Sequence, residues 1–403
     1  MTGTKRVRLS DETFRNGEQN NQQQIAKAEF QIQTQDTIGL PSGIGAISVI
    51  AACNQERSRT EQTKSSSMDD SLVQGVQAQI VVATDTGYIA LIHNDGTRTV
   101  LENSGNPAIQ RLLAIQHDTS AQGPCLIPDV VAGDSDGRVT VFTMGRMISR
   151  LTVSAPVSAL ALDSNPNTPR SFIVGDMGGT VTESHAQGIV WRTQLSPAAS
   201  KVSSAAGLGI TSVCSVRFAD DHGFPTSYVL AANEGNHVQL LARGHPVLTV
   251  PISARCNCMC SGKFIIRNRQ CSDILQSKVT QALLGDESGR LYVLDNFKLE
   301  PYAQLDFPVT SIVAIPLRAL VNYDGPNVVV CATRSNMIYV LYAKNIIGTF
   351  AADFWPSTID VIVPNSWEMR PTIVIAENKC VGNQNVCVLH KVTVDIKIAA
   401  EQA

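Results

Sequence analysis

The sequence predicts an all-β chain folded as a single seven-bladed β-propeller of four-stranded antiparallel blades, and three observations predict it. A short β-branched run ends on a small residue and an acidic or polar one, turns, and resumes as an alternating strand, seven times along the chain. The copies recur every ~40 to 60 residues, the spacing of propeller blades. Asn-Pro, Gly-Pro and Gly-Asp pairs lie between the runs, and no segment carries the 3.6-residue period of an amphipathic helix. A repeat array is one structural object, so the 403 residues are read as one body, not two or three domains.

In chain order, residues 1–29 read as a disordered polar tail, with Arg6, Arg8, Arg15 and the run Asn20 to Gln24. Within it, Asp11 to Gln19 is similar to the Asp-x-Thr-x-Arg-Asp-Gly-x-Gln signature of acyl-transferring barrel enzymes such as isopropylmalate synthases. No alternation of strands and helices follows to build a barrel, so the string is read as coincidence. The propeller is expected over 30–398. Its opening segment, Phe30 to Gln35, alternates as a strand and is expected to pair with the last blade near Val392 to Lys397, because an unclosed ring leaves two raw edges.

The first repeat combines Ile44 to Ile50 with Val81 to Ile89, and a mobile polar insertion at 54–74 separates them, carrying Ser65, Ser66 and Ser67 where modification is accessible. Val130 to Val139 marks the second repeat. The third resolves into four strands, Val157 to Leu162, Phe172 to Gly175, Thr180 to Ser184 and Gly188 to Leu195. Val229 to Val238 and Ala282 to Leu291 carry the fourth and fifth. The sixth gives Thr310 to Ile315, Val328 to Ala332, Met337 to Tyr342 and Ile346 to Ala351; a degenerate seventh spans Thr372 to Leu389, before a short tail at 399–403.

Composition narrows the function classes. Apolar residues make up 43 % and charged ones 17 %, enough to build a large β-branched core. A net charge of -3 gives no broad attraction for nucleic acid or anionic lipid. No uncharged apolar stretch reaches the length of a membrane span, so no direct membrane insertion is expected. The N-terminus has no hydrophobic signal core, no Asn-x-Ser/Thr acceptor site occurs, and the ten cysteines are scattered over several repeats. These features point to a cytoplasmic chain with reduced thiols.

Few residues suggest chemistry. Cys256, Cys258 and Cys260, with Cys271 following, form the densest thiol cluster; alternation on a strand puts the first three sulfurs on one surface, a weak zinc candidate beside the ordinary reading of buried structural cysteine. Asp134-Ser135-Asp136-Gly137, Asp220-Asp221-His222-Gly223 and Asp324-Gly325 resemble starts of calcium loops but lack later ligands, and hairpin turns explain them. His93, His117, His185, His222, His237, His245 and His390 share no motif, and no nucleophile elbow or phosphate loop occurs, so no catalytic residue and no cofactor are expected. Phe354, Trp355 and Trp367 are candidate anchors for a protein partner.

Val130-Val131-Ala132-Gly133-Asp134-x-x-Gly137-x-Val139 and Leu283-Leu284-Gly285-Asp286-x-x-Gly289-x-Leu291 resemble the repeats of FG-GAP-like propellers of intracellular scaffold proteins. Val328 to Ala332, Ile338 to Val340 and Ile346 to Phe350 look most like the integrin-alpha FG-GAP-repeat-containing protein 2 family; the propeller subunits of the BBSome are the second resemblance. The first resemblance implies a non-catalytic subunit of a cytoplasmic multiprotein assembly, the KICSTOR complex that restrains TOR kinase signalling at the lysosomal surface when nutrients are scarce. The second implies a trafficking subunit. The calcium loops of integrin repeats are eroded here, so no cation and no individual functional residue carries over. The rival class is a propeller enzyme or small-ligand or metal binder with its site at the central channel.

Overall fold

The computed structural model describes residues 28–53, 78–103, 105–115, 127–165, 168, 170–195, 208–219, 224–266, 279–320, 325–363, 370–381 and 384–398. The chain begins with strand β1 (Ala28–Gly39). Blade 1 is β2 (Ile47–Ala52), β3 (Ala78–Thr84), β4 (Ile89–His93) and β5 (Arg98–Glu102). Blade 2 is β6 (Ile109–Ile115), β7 (Asp129–Asp134), β8 (Arg138–Thr143) and β9 (Arg146–Thr152). Blade 3 is β10 (Val157–Leu162), β11 (Phe172–Asp176), β12 (Thr180–His185) and β13 (Gly188–Gln194). Blade 4 is β14 (Ile210–Ala219), β15 (Pro225–Asn233), β16 (His237–Ala242) and β17 (His245–Pro251). Blade 5 is β18 (Cys256–Gly262), β19 (Gln281–Asp286), β20 (Arg290–Asp295) and β21 (Lys298–Gln304). Blade 6 is β22 (Val309–Ile315), β23 (Val328–Thr333), β24 (Met337–Tyr342) and β25 (Asn345–Ala351). Blade 7 is β26 (Thr358–Ile362), β27 (Thr372–Val381), β28 (Gln384–Ile398) and, outermost, β1.

These are seven four-stranded antiparallel sheets, so the chain is a seven-bladed β-propeller. The first strand of each blade packs beside the first strand of the next, and β26 packs beside β2, which closes the ring. The expected closure is found between the expected segments: Phe30 faces Ile396, Gln31 faces Asp395 and Gln35 faces Val392. The strands expected in the third and sixth repeats match β10–β13 and β22–β25 to within a residue at each end. Of the tail expected at 1–29, residues 1–27 lie outside the described residues while Ala28 and Glu29 belong to β1, because the ladder to β28 runs two residues further than the alternation shows; the insertion expected at 54–74 and the end at 399–403 also lie outside them.

Each second strand reads as an unbroken apolar run, and the packing explains why. Blades stack face to face, so both faces of the strand are covered and side chains alternate between two neighbours. On β3, Ile80 and Val82 join the core shared with blade 7, while Val81 and Ala83 join the core shared with blade 2. On β19, Ala282 and Leu284 face blade 4 and Leu283 faces blade 6. The core is thus divided into clusters, one in each gap between blades.

Candidate functional site

The Asp134 turn, which resembles the start of a calcium loop, is built by its own carboxylate, and two further turns are built the same way. Asp134 Oδ1 accepts the amide N–H groups of Asp136 at 2.9 Å and Arg138 at 2.8 Å. Asp176 Oδ1 does the same for Gly178 and Thr180 at 3.0 and 2.9 Å, and Asp286 Oδ1 for Ser288 and Arg290 at 2.8 and 2.9 Å. Asn233 fills the equivalent place in blade 4, where its Oδ1 accepts from Gly235 N at 2.9 Å. An acceptor oxygen facing two converging N–H groups is turn chemistry, and a neutral amide performs it as well. Asp220 to Gly223 and Asp324 lie outside the described residues.

The cysteines do not line one surface, and a single bulge is the reason. β18 pairs with β19 so that Cys256 faces Asp286 and Cys258 faces Gly285, which leaves Asn257 as an extra residue and inverts the alternation. Cys256 therefore packs with Cys214 in the core between blades 4 and 5. Cys258 and Cys260 turn the other way, toward Cys331 in the core between blades 5 and 6. Burial pushes the thiols of Cys214 and Cys256 up to about 12 and holds Cys258 and Cys260 well above the usual thiol range. Thiols so raised stay protonated in the metal-free chain. Among the described residues no group of three or more His, Cys, Asp and Glu side chains is placed to hold a metal ion; Cys271 lies outside them.

The histidines serve local structure in separate blades. His237 bonds Gly235 O at 2.8 Å and Asn233 Nδ2 at 3.2 Å within its turn, His93 bonds Thr99 at 2.8 Å, and His185 accepts from Gln187 N at 3.2 Å. His117 and His222 lie outside the described residues.

Blade 7 departs from the repeat and exposes the largest aromatic. β26 ends its pairing with β27 at Thr358 and Ala376, but the β27–β28 ladder runs on to Val381 and Gln384. At the base of this overlong hairpin, Glu377 binds His390 Nε2 at 2.8 Å and Lys379 Nζ at 2.9 Å. Burial alone raises the Glu377 pKa, yet the bonds from Lys379 and His390 hold it below the usual range. Phe354 stacks on His390 with centroids 4.3 Å apart, and Ser357 N and Oγ both donate to Ala376 O at 3.0 Å. The loop between β25 and β26 is thereby pinned on both sides of Trp355, whose side chain stands 73 % exposed.

Of the three aromatics singled out from the sequence, Phe354 is thus a half-buried support, Trp355 is presented to solvent, and Trp367 lies outside the described residues. Sequence reasoning missed the Glu377–His390–Lys379 network, which forms only where β28 folds back beside β27, and the exposed Met147 and Ile148 of β9, which read as ordinary strand residues.

No protein-family model matches the chain, and no curated protein matches it in sequence. Solved structures match in fold. The N-terminal propeller of BBS1, crystallised in complex with ARL6, is similar at a TM-score of 0.57 with 8 % identity, over 93 % of this chain and 98 % of that one. The WD40 β-propeller domain of Doa1 is similar at 0.55 with 9 % identity, over 89 % and 96 % of the two chains.

Proposed function

We propose that this chain is a non-catalytic protein-interaction scaffold, a subunit of a cytoplasmic multiprotein assembly, with Trp355 as an anchor. The pinned, solvent-facing Trp355 carries the reading. A loop pinned on both sides loses little backbone freedom when its aromatic binds, and tryptophan is enriched among residues that dominate interface energies. The rigid ring supports the same reading, since it holds distant loops at fixed spacing without a catalytic constellation. A propeller of similar fold meets a protein partner in the BBS1–ARL6 complex. The repeat resemblance supports a finer reading, KICSTOR-like restraint of TOR kinase signalling with recruitment to the lysosomal surface; a BBSome-like trafficking subunit is the competing assignment.

Affinity purification of the tagged chain from its native cells, followed by mass spectrometry, tests both levels. The expected result is a stable set of partners, reduced at least ~10-fold by Trp355→Ala, in keeping with ~2 kcal/mol or more for an anchoring tryptophan. The melting temperature of that variant is expected to stay unchanged. Recovery of the chain mainly as a monomer overturns the scaffold reading. Depletion is expected to leave TOR signalling active during nutrient withdrawal; a normal response with lost ciliary or vesicular cargo moves the assignment to trafficking.

A further inference from the structure

Each blade ends in an outer strand with one unpaired backbone edge, and exposed edges invite association unless they are blunted. Five of the seven outer strands are protected in identifiable ways. β17 carries Pro246 and Pro251, and β21 carries Pro301 with the Lys298–Glu300 pair at 2.9 Å. The short β5 begins with Arg98 and ends with Glu102, and β1 exposes Asp36. β25 is overlain by β1: Phe30 stacks on Phe350 with centroids 6.0 Å apart and fills the space beside Gly348.

β9 and β13 contain neither proline nor carboxylate. Like the outer strands of blades 1, 4, 5 and 6, both carry a bulge, at Ile148 between the pairs Val141–Ser149 and Phe142–Met147, and at Val190 between Glu183–Trp191 and Ser184–Ile189. A bulge places consecutive side chains on the outside. Met147 and Ile148 of blade 2, and Ile189 and Val190 of blade 3, accordingly stand 45 to 55 % exposed. The two edges are continuous, because Arg192 Nη2 donates to Thr152 O at 3.1 Å across the blade boundary. On the far side, Thr193 donates to Gly244 O and brings the turn of blade 4, with Arg243, against β13.

Charge on this belt is mostly of one sign: Arg150 of β9 lies 3.9 Å from Glu102 of blade 1, and the other arginines of the belt stand apart from any such partner. Arg146, Arg192 and Arg243 are exposed, and none of them pairs with a carboxylate among the described residues. The acidic side chain nearest to β13, Glu183, is buried beneath it and bound by Trp191 Nε1.

We propose that the outer edges of blades 2 and 3 form a docking belt for an acidic segment of a partner protein that carries apolar side chains. The proposal rests on the scaffold reading and gives it a second surface, remote in sequence from Trp355. Arginines flanking an apolar strip complement carboxylates flanking apolar side chains. The belt suits a protein better than nucleic acid, which demands denser cationic contacts and gains little from exposed methionine and isoleucine.

The test places a benzophenone amino acid at Ile148, Val190 or Trp355 of the full chain in its native cells. Adducts from positions 148 and 190 are expected with a partner segment rich in Asp, Glu and apolar residues. Adding Met147→Glu or Arg192→Glu is expected to cut the yield at position 190 at least ~10-fold while the melting temperature stays within ~2 °C of the parent. Absence of adducts at 148 and 190, or adducts with lipid, nucleic acid, a second copy of this chain or a basic segment, overturns the belt. An adduct at position 355 in that case leaves the scaffold reading standing, whereas silence at all three positions removes both.

Discussion

At Gly133, Gly175 and Gly285 there is no room for a β-carbon. One built there would lie 2.5, 2.5 and 2.8 Å from the side chains of Val157, Ile210 and Val309, each the first residue of the next blade's inner strand. Ala83, Ala232 and Ala332 hold the matching position in blades 1, 4 and 6, directly before Thr84, Asn233 and Thr333. The small residue before each turn is therefore a seat for the neighbouring blade, while the polar residue after it makes the turn. Gly175→Val is expected to lower the free energy of unfolding by ~1–3 kcal/mol through overpacking. Gly39→Ala, where a β-carbon meets nothing within 4 Å, is expected to stay near neutral; urea denaturation of both variants compares them. The acidic residue of the motif was legible as turn chemistry because its bonds span two to four residues. The glycine's role was not, since it depends on a residue 35 positions away for Gly175 and Ile210.

Strands and hairpins were legible wherever local chemistry sets them, as in β10–β13 and β22–β25. What the residue pattern could not supply was register. Asn257 looks like any strand residue, yet as a bulge it sends Cys256 and Cys258 to opposite faces, and its Nδ2 donates to Val309 O of blade 6 at 3.0 Å. The overlong β27–β28 hairpin was likewise invisible, because nothing local marks where β26 stops supporting it. β1 was legible from its alternation and from the need to cover an edge. Its ladder to β28 runs from Ala28–Ile398 to Gly39–Val388, and Phe30 adds its stack on blade 6. Removing residues through Thr37 is expected to cost on the order of 5 kcal/mol, from the lost ladder bonds and packing. An unchanged thermal melt would refute that role for the strand.

Around the whole ring, the gap between blades 7 and 1 carries polar fastenings at both ends of β2. Asn378 accepts from Ile47 N at 2.8 Å and donates to Ile47 O at 2.9 Å, while Asp360 accepts from Ala52 N at 2.7 Å. Burial raises Asp360 to about 6, against the opposing pull of its bonds from Ala52 and Val361; the neighbouring Cys53 thiol is itself raised to about 12 by burial. A carboxyl whose folded pKa exceeds its unfolded value of 3.8 holds a proton in the folded state that the unfolded chain releases. Its contribution to stability is full below that unfolded value and is lost as pH rises through about 6. Relative to the parent, Asp360→Asn is therefore expected to gain melting temperature between pH 3.8, the unfolded value of the carboxyl, and about 6 and to level off above that, and a difference flat in pH across this window would contradict the assignment.

The pairing of β1 with β28 also sets a timetable. Residue 28 leaves the ribosome long before residue 398, and at ~5–20 residues per second the interval is about 20–70 s. Throughout it, an alternating segment with Phe30 and Ile32 on one face lacks its ladder partner, while six blades assemble behind it. Newborn chains thus pass through a stage in which the strand destined to lock the ring is the one most available to a chaperone, or to the β1 of another ribosome's product.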